Sequence, residues 1–150
     1  MKLEITADLL DELAKSKGLD IGQVYVNEMP LGVKHGLLLM DSYAGTPINP
    51  YMPKLRNTGL RLIMRSSRYA RGYKTAMLIS ELLNIQVERY VEGANVKGLL
   101  GEDSRILLKQ VLVMNEPKPY RSSDGGFVEF EMEIELIYVA PELHSPALSP

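Results

Sequence analysis

The sequence of 150 residues contains no cysteine, which excludes disulfide frameworks, thiolate zinc sites and thiol nucleophiles. Only two histidines are present, His35 and His144. A three-histidine metal site is therefore impossible, and a Ser-His-Asp triad would have to use one of these two. No apolar run approaches the roughly 18 residues of a membrane span. The opening Met1-Lys2-Leu3-Glu4 lacks the apolar stretch of a signal peptide, so the expected location is cytoplasmic. Charge of neither sign dominates: 17 Lys and Arg oppose 19 Asp and Glu, a net charge of −2. Nothing overall announces a nucleic-acid binder. No catalytic, cofactor or metal site is expected.

What remains is an ordinary globular composition, 45% hydrophobic and 24% charged. A chain of this size buries roughly 68–70% of its unfolded surface, enough for a core without staples. Leu9, Leu10, Leu13 and Ala14 recur at helical spacing after Thr6, a good N-cap, and before Gly18, a good stop. Strands are predicted over residues 23–27 and 36–43, the second a Leu run that suggests burial on both faces. The segment 44–58 holds Gly45, Pro47, Pro50 and Pro53 and reads as a long loop. A strand over 59–65 puts Arg61, Ile63 and Arg65 on one face and Leu60, Leu62 and Met64 on the other. Apolar spacing predicts a helix over 69–84, whereas 86–103 reads as irregular or short-stranded. A β segment over 105–115 precedes a hairpin turn at 122–126 and a strand over 127–139.

Together these elements predict an α+β fold: a mainly antiparallel sheet, two helices packed on one face, and a long C-terminal β-hairpin. One domain is expected over 1–139, with a Pro/Ser-rich tail over 140–150.

Two charge features stand out. In the last strand Glu129, Glu131, Glu133 and Glu135 alternate with Phe130, Met132, Ile134 and Leu136, spacing the carboxylates about 7 Å apart on one face. That face is either solvated, as one side of an antiparallel sheet often is, or an acidic wall toward a partner or a lumen. Catalysis by paired carboxylates is the weakest reading, because nothing nearby would split their pKa values. The other feature is a basic block. Between Asp41 and Glu81 no acidic residue occurs, while Lys54, Arg56, Arg61, Arg65, Arg68, Arg71 and Lys74 do, with Tyr69 and Tyr73 interleaved. Taken alone, this pattern suits a nucleic-acid surface. Arg61 and Arg65 also share a strand face that can pair with the Glu ladder, and Arg68 and Arg71 sit where a subunit contact can use them. The candidate interface or lumen residues are therefore Arg56, Arg61, Arg65, Arg68 and Arg71 with Glu129, Glu131, Glu133 and Glu135.

The middle of the chain resembles the tail-terminator (minor capsid, tail-completion) proteins of long-tailed bacteriophages. The matching order is an N-terminal helix, a strand ending in Val26-Asn27-Glu28-Met29-Pro30, and an apolar strand running into Asp41-Ser42-Tyr43-Ala44-Gly45-Thr46-Pro47. Leu60-Arg61-Leu62-Ile63-Met64-Arg65, the helix around Tyr73 to Leu83 and a final hairpin strand complete it. The resemblance implies an α+β subunit of a homo-oligomer, a hexameric ring, that sits on the finished tail tube in the virion. Such a ring touches the tail tube protein and the head-tail connector protein, and genomic DNA passes through it without specific binding. No catalysis, cofactor or membrane is implied. The long segment 87–103 and the Pro-rich tail depart from the simplest pattern. Another head-tail joining protein, or a small nucleic-acid-binding module using 54–74, are the alternatives.

Overall fold

The computed structural model describes residues 1–41, 45–123 and 126–142. Helix α1 spans Lys2–Lys17 and stops at Gly18, whose φ of 64° is left-handed, a conformation glycine adopts without a Cβ penalty. The helix begins before Thr6, because Leu3 and Ile5 extend the buried stripe backward. Thr6 is thus no cap: it is buried within the helix and its hydroxyl donates to the Lys2 carbonyl at 2.8 Å.

Strands β1 (Gln23–Val26) and β2 (Gly36–Asp41) pair in parallel, while the other strand pairs among the described residues are antiparallel, so the sheet is mainly but not purely antiparallel. The sheet is mixed. The connection 27–35 returns the chain to the start of the pair, using Asn27 at a φ of 66°. Strand β3 runs from Leu55 to Ser66, so the long loop ends earlier than Thr58. Past Pro53 nothing breaks an extended chain, and Leu55–Thr58 find partners in Val139–Leu136.

Helix α2 (Tyr69–Leu83) follows, then β4 (Arg89–Val91), helix α3 (Ala94–Leu100), β5 (Ile106–Val113), β6 (Lys118–Ser122) and β7 (Val128–Val139). There are three helices among the described residues rather than two. Helix α3 falls in the segment expected to be irregular or short-stranded, because its capping group is remote. The buried Asp8 carboxylate of α1 accepts the Asn95 and Val96 N–H groups at 3.0 and 2.8 Å, the role a local N-cap side chain ordinarily plays. Gly93 permits that approach, since a Cβ there would stand 2.4 Å from Asp8 Cγ.

The strand order is β1-β2-β3-β7-β5-β4, with β6 also beside β7. Strand β7 pairs with all of β3, with β5 along its C-terminal half and with β6 along its N-terminal half. Residues 124 and 125 of the expected hairpin turn, and 143–150 of the expected tail, lie outside the described residues. On one face Leu37, Leu39, Leu60, Leu62, Met64, Phe130, Met132 and Ile134 join Ile5 and Leu9 of α1, Ala76, Ile79 and Leu83 of α2, and Val96 of α3 in one core. Each fully buried side chain of this kind stabilises by about 1.5–3 kcal/mol. The other face carries a smaller cluster, Met29, Leu38 and Ile63. Arg61 and Arg65 share that second face, as the alternation predicts.

Candidate functional site

Strands β3 and β7 set Arg65 directly opposite Glu129 and Arg61 directly opposite Glu133. Arg65 pairs straight across: its Nε donates to Glu129 Oε2 at 3.0 Å, and both side chains are only 1% exposed. Its guanidinium has further partners. Nη1 donates to the Pro30 and Val33 carbonyls at 2.8 and 3.1 Å, and the group lies 4.2 Å from the Phe127 ring centroid. The second oxygen of Glu129 accepts from Arg121 of β6.

Arg61 instead reaches diagonally. Its Nε and Nη2 make a two-bonded fork with Glu131 at 3.0 and 3.1 Å, the bidentate geometry that planar guanidinium favours. The guanidinium also stands 5.3 Å from the Tyr120 ring centroid. Hydrogen bonding to Arg61 holds the Glu131 carboxyl below the usual carboxylate range, against the opposing effect of its burial. The bonds to Glu131 and Tyr120 raise Arg61 in turn.

A uniformly solvated ladder is therefore overturned: Glu129 and Glu131 are buried. Glu133 is exposed and Glu135 half-buried, and among the described residues neither has an ion-pair partner within 4 Å. The remaining candidates stay apart from the ladder. Arg56 donates to the Pro53 carbonyl at 2.9 Å. Arg68 is exposed just before α2, and Arg71 meets Asp20 at 3.3 Å with both side chains more than half exposed. Tyr69 and Tyr73 make edge contacts with Phe130, with centroids 5.0 and 5.7 Å away, and both stay exposed on their other sides.

Sequence reasoning missed the cover over the buried pairs, Tyr120, Arg121 and Phe127 with the Pro30 and Val33 carbonyls, because no local pattern marks it. It also missed a hollow of about 570 Å³ beside the unpaired carboxylates, lined by Met40, Gly59, Arg61, Met114, Glu133 and Glu135 among others. Among the described residues no three of His, Asp and Glu are grouped as metal ligands. No helix there is long and apolar enough to cross a membrane.

A family model described as bacteriophage tail terminator protein matches residues 12–140. The chain belongs to that family. No curated protein matches it. Tail terminators are structural proteins, so this one is a component of the phage tail that assembles with other tail parts.

Proposed function

We propose that this tail terminator closes into a hexameric ring on the head-proximal end of the tail tube, stops the addition of tube protein, and offers the joining surface to the head-tail connector protein. Assembly takes place in the host cytoplasm, and genomic DNA passes through the ring without specific binding. Family membership carries the reading. The division of charge supports it, because a head-to-tail ring needs two different, complementary surfaces. With Arg61 and Arg65 committed within the chain, Arg56, Arg68 and Arg71 remain as the cationic contact set. Glu133 and Glu135 remain as the anionic set. A nucleic-acid reading of 54–74 is weakened by the same commitment, which leaves fewer of its cations free for phosphate.

The test is electron microscopy of tails made with and without the protein. With it, tails of uniform length should carry a ring at the head-proximal end. Without it, tubes should overrun and fail to join heads. Monomers or dimers only, in solution and on purified tubes, would overturn the proposal.

A further inference from the structure

The loop before β3 ends in an ordered display of apolar side chains. Asn49 Oδ1 accepts the Tyr51 N–H at 2.9 Å, and the Asn49 carbonyl accepts the Met52 N–H at 3.1 Å. The Met52 carbonyl accepts the Leu55 N–H at 3.1 Å. These overlapping turns hold Tyr51 92% exposed, with Ile48 and Met52 also exposed beside it. A hydrogen-bonded turn that projects an aromatic ring into water departs from what folding alone favours, and such departures concentrate at functional surfaces. Lys54 is exposed next to it, and no acidic residue lies anywhere in 42–80.

The hollow on the outer face of the sheet has the opposite character. Gly59 stands in register with Glu135, so the missing side chain opens the floor. Met40 and Arg61 form one wall, and Met114, Glu133 and Glu135 the other. Methionine sulfur makes favourable contacts with aromatic rings about 5 Å away, and two neighbouring carboxylates with no ion-pair partner within 4 Å among the described residues attract a positive group. A volume of about 570 Å³ lies in the range of roughly 300–1,000 Å³ that admits a small ligand. Tyr51, being exposed, does not fill it within its own chain.

We infer that the Tyr51 turn of one copy seats in the Met40–Met114 hollow of the next copy, with Lys54 meeting Glu133 and Glu135. The two patches differ, so the contact is head-to-tail and repeats around a closed assembly. This inference deepens the ring reading and rests on it.

The absence of cysteine makes the test direct. The double variant Met52→Cys with Glu116→Cys, placed beside Tyr51 and Met114 at exposed positions, assembled on tail tubes and treated with a bismaleimide, should give a ladder of covalent oligomers of this chain. Each single variant should give none. Tyr51→Ala should weaken subunit association about tenfold or more, as loss of a buried aromatic anchor does, with monomer melting unchanged. Lys54→Glu should weaken it as well, and Glu133→Lys should restore it in combination. Rings that form normally without a ladder, that crosslink to tube protein instead, or that tolerate Tyr51→Ala and Lys54→Glu overturn the seat and leave the ring standing. Absence of any ring on the tubes overturns the ring reading, and the seat falls with it.

Discussion

Replacing Glu129 by Gln tests whether the Arg65–Glu129 pair is a true interior ion pair. Both side chains are 1% exposed, so water screens them little. The substitution keeps an acceptor for Arg65 Nε but removes the negative charge. The guanidinium is then left with two neutral carbonyls, Pro30 and Val33, and the Phe127 ring. Removing one partner of a buried pair costs about 3–5 kcal/mol, and the surviving neutral contacts place this case near about 3 kcal/mol. For a chain of this length each kcal/mol lowers the melting temperature by about 2–4 °C, giving a drop of roughly 6–12 °C. Urea unfolding should show a lower midpoint at an unchanged slope. Removing both charges, with Arg65→Met and Glu129→Leu, should not restore stability. The two carbonyls would lose their donor at about 1–3 kcal/mol for each left unsatisfied, and Arg121 its acceptor. Arg71→Ala is the control, since its partner Asp20 and Arg71 itself are more than half exposed and such pairs contribute about 0–1 kcal/mol. A Glu129→Gln protein within about 1 kcal/mol of the parent would refute the interior pair, for that is the value of a solvated bridge.

Three other outcomes are expected. The Glu131 carboxyl is held low by Arg61, so in acid the unfolded chain takes up that proton first. The stability it contributes is complete above the unfolded value of about 4.3 and is lost as pH falls through the folded value. Glu131→Gln should flatten that acid limb in urea titrations across pH, and an unaltered limb would contradict the pairing. Asp8→Ala should cost about 1–3 kcal/mol by leaving the buried Val96 N–H without an acceptor, and hydrogen exchange should show protection lost first in α3. Substituting His35 and His144 together by Ala should leave tail completion intact, and its loss in a folded double variant would reopen a chemical role.

The sequence made some elements legible and hid others for identifiable reasons. Strand β7 and the Arg61/Arg65 face of β3 were readable because alternation is a local property. Helix α2 was readable because Ala76, Ile79 and Leu83 repeat at helical spacing and are buried. Helix α3 was not: it is seven residues long, contains Gly98, and takes its cap from Asp8, 87 residues before Asn95. Thr6 misled because a strong N-cap residue is also tolerated inside a helix when the apolar stripe continues past it. The ion pairs were foreseeable as a class but not as partners. Whether Arg61 meets Glu131 or Glu133 depends on side-chain reach across the β3–β7 ladder, between residues 70 or more apart in sequence.

The Glu ladder is regular in sequence, yet its surroundings divide it. The turn after β1 lays the Pro30 and Val33 carbonyls on Arg65, and β6 brings Arg121 to Glu129. Strand β6 pairs with β7 no further than Glu131. Beyond it the chain passes from β5 to β6 through Met114, whose N–H donates to the Glu133 carbonyl. Glu133 and Glu135 therefore lie where the chain supplies strands on both sides but, among the described residues, no ion-pair partner. A face meant only for water has no need of two methionines and a glycine-floored hollow beside its carboxylates, because exposed polar side chains alone would serve. The same chain displays, on a hydrogen-bonded turn, an aromatic ring and a lysine with no acidic neighbour in sequence. Among the described residues one surface has two carboxylates with no ion pair, and the other an exposed ring and a lysine with no ion pair. A subunit that repeats head-to-tail can satisfy both at every contact, whereas a lone subunit satisfies neither.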